Sequence, residues 1–194
     1  MHRKTIRHFN SARHAHFLTF SCFQRRDFLT KDRTRMWLVH AIEKARTKHQ
    51  FHLWAYVLMP EHVHLVLWPT RRDYSIAAIL QSIKQPVARL GANWVRDHAP
   101  ASAHQMQHAN THRSDRLHFW QEGPGVDTNL FTPFFVWQKI DYIHLNPVRR
   151  GLVHIPSDWA WSSARAYTRH THDGLSIDFE SLPDTPASRG MNWT

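Results

Sequence analysis

The chain has 194 residues, which is enough for one domain with a substantial hydrophobic core. Its formal net charge is +10, from 25 Lys and Arg against 15 Asp and Glu, and this favours an anionic partner such as nucleic acid. The single cysteine, Cys22, excludes an intramolecular disulfide framework and a cysteine-based zinc site. We find no signal peptide and no apolar run as long as a membrane span, and therefore expect a cytoplasmic protein with no membrane partner.

The spacing of apolar residues predicts eight elements, of which the first seven define the order of the fold. In chain order they are a strand over 14–23, a helix over 34–50, two strands over 51–59 and 62–68 joined by a tight turn, a helix from 76 to about 90, a short strand "LHFWQ" over 117–121, a helix "FTPFFVWQKIDYIHL" over 131–145 and a last helix over 157–167. The polar stretch over 101–116 is predicted to be a loop.

The order β-α-β-β-α-β-α is that of the ferredoxin-like split βαβ arrangement. It predicts an α+β fold in which one antiparallel sheet carries its helices packed on one face. We assign residues 1–167 to this domain. Residues 168–194 are polar and contain proline, and we expect them to form a loosely packed C-terminal tail.

Two histidines bracket one valine in "MPEHVHLVLWP", directly after the turn of the predicted hairpin. Residues two apart in a strand point to the same face, so we expect His62 and His64 to project together from the solvent face of the hairpin, away from Val63 and Leu65. Two imidazoles on one face can bind one metal ion. A chain with 18 histidines can also place such a pair on a polar outer face by chance, so the pair permits a metal site without requiring one.

A second group of polar residues lies in "YIHLNPVRRGLVH". Tyr142 and Asn146 are one helical turn apart and therefore share a face. We expect the Asn-Pro step to break or restart the helix, because the residue before proline avoids helical geometry. Arg149 and Arg150 follow in a turn that could cradle phosphate. A packed tyrosine, a capping asparagine and a solvated basic turn are the alternative interpretation.

Together, "MPEHVHLVLWP" and "YIHLNPVRRGLV" resemble the paired signatures of the REP-associated tyrosine transposases, which belong to the HUH single-tyrosine transposase superfamily. The flanking motifs "HFLTFSCFQRRDFL", "FWQEGPGVDTNLF" and "DWAWSSARAY" support the resemblance. It spans roughly residues 10–168.

The resemblance implies a metal-dependent single-stranded DNA endonuclease and strand transferase that acts at hairpin-forming repeats through a 5′-phosphotyrosine intermediate. Tyr142 matches the catalytic tyrosine, and His62 and His64 match the metal-binding pair. Asn146 falls where relatives place a third, polar ligand. His144 is a rival ligand that should point away from the Tyr142 face. The ion would be Mg²⁺ or Mn²⁺, and two imidazole ligands favour Mn²⁺ in affinity.

The implied partner is a single-stranded DNA hairpin formed by a palindromic repeat. Candidate residues for gripping its backbone are Arg25, Arg26, Arg149 and Arg150, together with the basic segment 2–13. Trp120 is a candidate for stacking on an unpaired base. Monomer and homodimer both stay open, with the monomer favoured.

Three alternatives remain. An HUH replication initiator or relaxase would use the same chemistry to nick DNA, a domesticated protein would bind DNA without catalysis, and a metal-dependent nuclease would hydrolyse DNA without a covalent adduct. The intact histidines and tyrosine argue against loss of catalysis.

Overall fold

The computed structural model describes residues 10–107, 116–123, 125–169 and 174–187. Its main elements are β1 (Ala15–Ser21), α1 (Asp32–His49), β2 (Phe51–Leu58), β3 (His62–Pro69), α2 (Ile76–His98), β4 (Val126–Leu130), α3 (Pro133–Arg149) and α4 (Ala164–Arg169). The four strands form one antiparallel sheet in the order β2-β3-β1-β4. This is the ferredoxin-like order, so the predicted α+β fold class is confirmed. No helix in these ranges is long and apolar enough to cross a membrane.

The helices α1 and α2 cover one face of the sheet. Side chains at alternate positions of β1 and β3, such as Leu18 and Leu65, point into this layer and are fully buried. The helix α2 begins where the Ser75 hydroxyl accepts a hydrogen bond from the backbone N–H of Ala78 at 3.2 Å. This layer is the larger of the two hydrophobic cores in the described residues.

The helix α3 packs on the opposite face of the sheet. Its residues Trp137, Ile140 and Ile143 form a second hydrophobic cluster with Phe17 and Val66 of the strands. The expectation that all helices pack on one face was wrong in this respect. Both faces carry apolar side chains, so each face needs a helical cover.

The fourth strand lies later in the chain than predicted. Residues 117–121 contribute only a single bridge, between Trp120 and Cys22, whereas β4 pairs with β1 along its length. Gly125 leads into β4 with a φ of +79°, and a Cβ atom there would lie 2.1 Å from the carbonyl oxygen of Thr19. Only glycine fits this close approach. The polar sequence "VDTNL" carries no strand signal strong enough to predict β4.

The helix α3 continues through Asn146 and Pro147 to Arg149, so the expected break at Asn-Pro was wrong. Proline lies in the last turns, and the helix ends only a few residues later. The chain after residue 168 also packs more closely than expected. Leu175 and Ile177 are buried in the larger core. The carboxylate of Asp178 accepts a hydrogen bond from the backbone N–H of Leu53 at 2.7 Å.

Some of the predicted segments lie partly outside the described residues. They are the basic N-terminal segment up to residue 9, the centre of the polar loop over 108–115, and the tail over 170–173 and 188–194. The division of the chain at residue 167 stays a prediction.

Candidate active site

The two histidines of β3 project together toward α3. Their ring centroids are 4.7 Å apart, and the residues are only 5% (His62) and 4% (His64) exposed. We expected the pair on the solvent face of the hairpin, and this was wrong because α3 covers that face. The shared orientation of the two rings is as predicted.

Hydrogen bonds orient both imidazole rings through their Nδ1 atoms. Nδ1 of His62 lies 3.0 Å from Oε1 of Glu61, and Nδ1 of His64 lies 2.7 Å from the hydroxyl of Thr19. A carboxylate only accepts, so Nδ1 of His62 carries the proton, and Nε2 retains its lone pair. Such contacts to Nδ1 are typical of histidines that bind metal through Nε2.

Burial keeps both rings neutral. It lowers the pKa of His64 to about 3, and electrostatic interactions with His62 and Arg25 act in the same direction. Burial also lowers the pKa of His62, although the carboxylate of Glu61 opposes this shift. Neutral imidazole is the form that binds metal ions.

Asn146 of α3 completes a candidate donor set. Its Nδ2 lies 3.2 Å from Nε2 of His64, and its Oδ1 is buried with no hydrogen-bond partner in the described residues. Rotation of the amide would bring Oδ1 to the same place. The described residues hold no group of three His, Cys, Asp or Glu side chains suited to a metal. The amide oxygen of Asn146 is the candidate for a third protein ligand beside the two histidines. Two imidazole nitrogens and one amide oxygen fit a divalent cation such as Mn²⁺.

Tyr142 lies beside the histidines, one turn before Asn146 on α3. Its ring centroid is 5.5 Å from that of His64, in an edge-on arrangement, and the residue is 38% exposed. Two cations flank the ring, with Nζ of Lys139 at 5.6 Å and Cζ of Arg149 at 5.3 Å from its centroid. The phenol is therefore accessible to a substrate, and the two neighbouring cations can contact the phosphate of a bound DNA strand.

Glu61 is a central residue of the site that the sequence analysis missed. It is buried beside His62, and its Oε1 accepts hydrogen bonds from Arg150 at 2.7 Å and from Arg25 at 3.3 Å. Burial alone would raise the pKa of Glu61, but the hydrogen bond from Arg150 and the charge of its neighbours lower it. Its position directly before His62 in "PEHVH" was the available signal.

The predicted DNA-binding arginines occupy one side of this site. The side chains of Arg25 and Arg150 are 64% and 51% exposed while both bind Glu61. Arg25 follows Gln24 in a turn where both residues have left-handed backbone geometry, with φ values of 54° and 51°. The guanidinium of Arg26, in contrast, donates a hydrogen bond to Oε1 of Gln24 at 3.4 Å.

Two further predictions concern Trp120 and His144. Trp120 is buried, its ring contacts Phe20 and Phe119, and its indole N–H donates to the carbonyl of Lys84 at 2.8 Å. It has no free face for a base, so its predicted stacking role was wrong. His144 lies within 2.8 Å of the Ser163 hydroxyl, away from the histidine pair, as expected.

The sheet, the histidine pair and the tyrosine that faces it are the features that the resemblance to single-tyrosine transposases implies. Residues 10–130 match the family model described as "Transposase IS200 like". This span is more than half of the chain. The chain therefore belongs to the IS200-like transposase family, a class of enzymes that cleave and rejoin DNA.

Among curated proteins, the chain is similar to a REP-associated tyrosine transposase of Escherichia coli, with 26% identity over 147 residues, 76% of this chain and 74% of the relative. A protein of Haemophilus influenzae, described as "Putative REP-associated tyrosine transposase", is 24% identical over 144 residues, 69% of this chain and 74% of the relative. A solved REP-associated tyrosine transposase bound to a REP hairpin shares the fold, with a TM-score of 0.66 and 22% identity over 96% of this chain and all of the other.

The family match and the site overlap only in part. His62 and His64 lie inside residues 10–130, whereas Tyr142 and Asn146 follow this span. The assignment of Tyr142 and Asn146 to the site therefore depends on their contacts with His64.

Proposed function

We propose that this transposase cleaves and rejoins single-stranded DNA at hairpin-forming repeats, with Tyr142 as the nucleophile. The observation that carries the proposal is the shared face of α3, which brings the ring of Tyr142 to 5.5 Å and the amide of Asn146 to 3.2 Å from His64. No arrangement of this kind is needed for a DNA-binding protein without catalysis.

In the proposed reaction, the phenolic oxygen of Tyr142 attacks the scissile phosphorus. A bond forms between this oxygen and phosphorus, while the bond from phosphorus to the 3′ oxygen breaks. The phenol loses its proton to solvent, and the departing 3′ oxygen takes up a proton. Lys139 and Arg149 beside the ring supply positive charge near the attacked phosphate. One phosphodiester replaces another, so the reaction can reverse and join strands without an external energy source.

The donor set of His62, His64 and Asn146 would hold a divalent cation, Mn²⁺ or Mg²⁺. When bound, such an ion supplies positive charge that stabilises the phosphoryl group during displacement. Thr19 and Glu61 keep the imidazole rings in the orientation that leaves each Nε2 available.

Four arginines would grip the DNA backbone near the cleavage site: Arg25, Arg26, Arg149 and Arg150. The solved relative is bound to a REP hairpin, and this supports a palindromic hairpin with a single-stranded flank as the substrate class. We propose that the enzyme is cytoplasmic. We also propose that it acts as a monomer, because α3 of the same chain supplies the tyrosine to the histidine pair.

A labelling experiment tests the proposal. The protein is incubated with Mn²⁺ and a hairpin oligonucleotide labelled at its 3′ end, then separated on a denaturing gel. Because the 5′ phosphate of the downstream fragment would be attached to the protein, the 3′ label should move with the protein. A 5′-labelled oligonucleotide should instead release a shorter free strand.

The control is Tyr142→Phe, which removes one oxygen and should abolish the labelled band while binding to the hairpin stays nearly unchanged. Cleavage by Tyr142→Phe would contradict the proposal and favour a hydrolytic nuclease. Trapping of label only from the 5′-labelled strand would contradict the proposed polarity.

A further inference from the structure

Three phenylalanines form an exposed cluster at the start of α3. Phe131, Phe134 and Phe135 are 64%, 53% and 38% exposed. The ring of Phe135 contacts the other two, at centroid distances of 5.5 Å from Phe131 and 5.6 Å from Phe134. This aromatic cluster is fixed to the helix, because the hydroxyl of the Thr132 cap accepts a hydrogen bond from the backbone N–H of Phe135 at 3.3 Å. Such a patch indicates a binding surface.

The aromatic cluster is continuous with the candidate active site. Phe135, Lys139, Tyr142, Asn146 and Arg149 are spaced by four, three, four and three residues, so they lie along one face of α3. About two helical turns, on the order of 10 Å along the axis, separate Phe135 from Tyr142. A strand bound at Tyr142 would therefore pass the cluster within a few nucleotides.

The charge of this helix face indicates what covers it. Lys139 and Arg149 lie on the same face of α3 as Phe135 and flank the ring of Tyr142, and the whole chain carries a net charge of +10. A second copy packed here by a twofold axis would bring like charges together, which is unfavourable. Single-stranded nucleic acid supplies both flat bases, which stack on aromatic side chains, and negative phosphates, which bind the neighbouring cations.

We propose that the aromatic cluster of Phe131, Phe134 and Phe135 binds the unpaired bases that flank the scissile bond by stacking. This inference rests on the proposed function and adds a binding site to it. Stacking is tolerant of sequence because every base has a flat face, so the cluster would hold the single-stranded flank without reading it.

Binding to two matched oligonucleotides tests this proposal. Both contain the same hairpin and flank, but in one the flanking nucleotides lack bases. Measurements use the Tyr142→Phe background with EDTA, so that no cleavage occurs. The variant Phe131→Leu with Phe134→Leu removes flat rings and retains apolar volume. We expect this double variant to bind the oligonucleotide with the intact flank at least about 10-fold more weakly than the parent. Its affinity for the oligonucleotide without flanking bases should equal that of the parent.

A matched control is Phe179→Leu, because Phe179 is 37% exposed and lies in the C-terminal segment rather than on α3. It should bind both oligonucleotides as the parent does. In addition, the parent should quench the fluorescence of 2-aminopurine placed in the flank, and the double variant should quench this fluorescence less.

Equal binding of the intact flank by the parent and the double variant would overturn the inference, as would an equal loss on both oligonucleotides. A parent dimer that the double variant converts to a monomer in sedimentation would assign the cluster to a second copy. The adduct assay on the parent Tyr142 protein decides the proposed function separately, because that protein can form the adduct whether or not the cluster stacks bases.

Discussion

The two faces of the same sheet are both buried but differ in what they bury. Under α1 and α2, the inward side chains of β3 include Val63 and Leu65, which belong to the larger core. Under α3, the neighbouring residues of the same strand are His62 and His64. Alternation along β3 thus places two apolar side chains under α1 and α2 and the two histidines under α3, beside the smaller hydrophobic cluster.

The polar groups on the two faces also differ. On the α1/α2 face, His16 is buried with both ring nitrogens in hydrogen bonds, to Asp127 at 2.7 Å and to Tyr74 at 2.7 Å. On the α3 face, Oδ1 of Asn146 is buried without a hydrogen-bond partner in the described residues. A buried polar group left unpaired is destabilising, and a cation bound beside His64 would give this oxygen a partner.

The largest expected effect is the loss of adduct formation when a histidine on the α3 face is replaced. His62→Ala and His64→Ala should each lower adduct formation more than about 100-fold, since each removes a proposed metal ligand rather than an outer-shell contact. Calorimetric titration with Mn²⁺ should show no specific binding, while circular dichroism stays native. His52→Ala in β2 is the control and should retain binding. Wild-type-like Mn²⁺ binding by the His62→Ala/His64→Ala double variant would exclude this donor set.

The next effect is on the opposite face of the same strand. Leu65→Ala removes a fully buried side chain and should lower the free energy of unfolding by about 2–5 kcal/mol, because it leaves a cavity. Urea denaturation measures this. Leu90→Ala is the matched control, since Leu90 is 40% exposed and should change stability little. If Leu65→Ala kept full stability but lost adduct formation, the division of roles between the faces would be wrong.

A smaller effect is expected from Glu61, which contacts the site without belonging to the donor set. Glu61→Gln keeps the shape but removes the charge that orients His62 and pairs with Arg150. Mn²⁺ affinity should fall about 10- to 100-fold, as for other outer-shell contacts. Glu43→Gln on α1 is a control for loss of one negative charge. Unchanged Mn²⁺ affinity in Glu61→Gln would show that Glu61 has no role in metal binding at the site.

The smallest expected effect is the pH dependence of the free energy of unfolding in metal-free protein. The pKa of His64 is lowered to about 3 by burial, so the unfolded chain binds a proton below about pH 6.5 that the folded chain does not. Stability should therefore fall as pH falls from about 6.5, by up to about 1.4 kcal/mol per pH unit for this residue. Denaturation in EDTA at several pH values measures the slope. His64→Asn should lower it, and an unchanged slope would contradict neutral burial of His64.

The sequence predicted the order of the elements and the fold class because apolar periodicity is strong in β1 to β3 and in the helices. It did not predict β4, whose residues are polar and whose position depends on the close approach at Gly125. It also did not place α3 on its own face, since periodicity shows that a helix has an apolar side but not which surface covers it.

For the candidate site, the sequence indicated His62, His64, Tyr142 and Asn146, which the fold brings together. Burial of the pair and the role of Glu61 could not be predicted, because both depend on contacts between segments far apart in the chain. The same is true of Trp120, whose exposure cannot be deduced from its neighbours in sequence.

The identity of the nucleophile is the central claim, and mass spectrometry of the trapped adduct tests it most directly. The protein is reacted with Mn²⁺ and a hairpin oligonucleotide, digested with protease and nuclease, and analysed for modified peptides. We predict one modified peptide containing Tyr142, with a nucleotide joined to the phenolic oxygen through its 5′ phosphate. Modification at another residue, or cleavage to free ends without any modified peptide, would contradict the account.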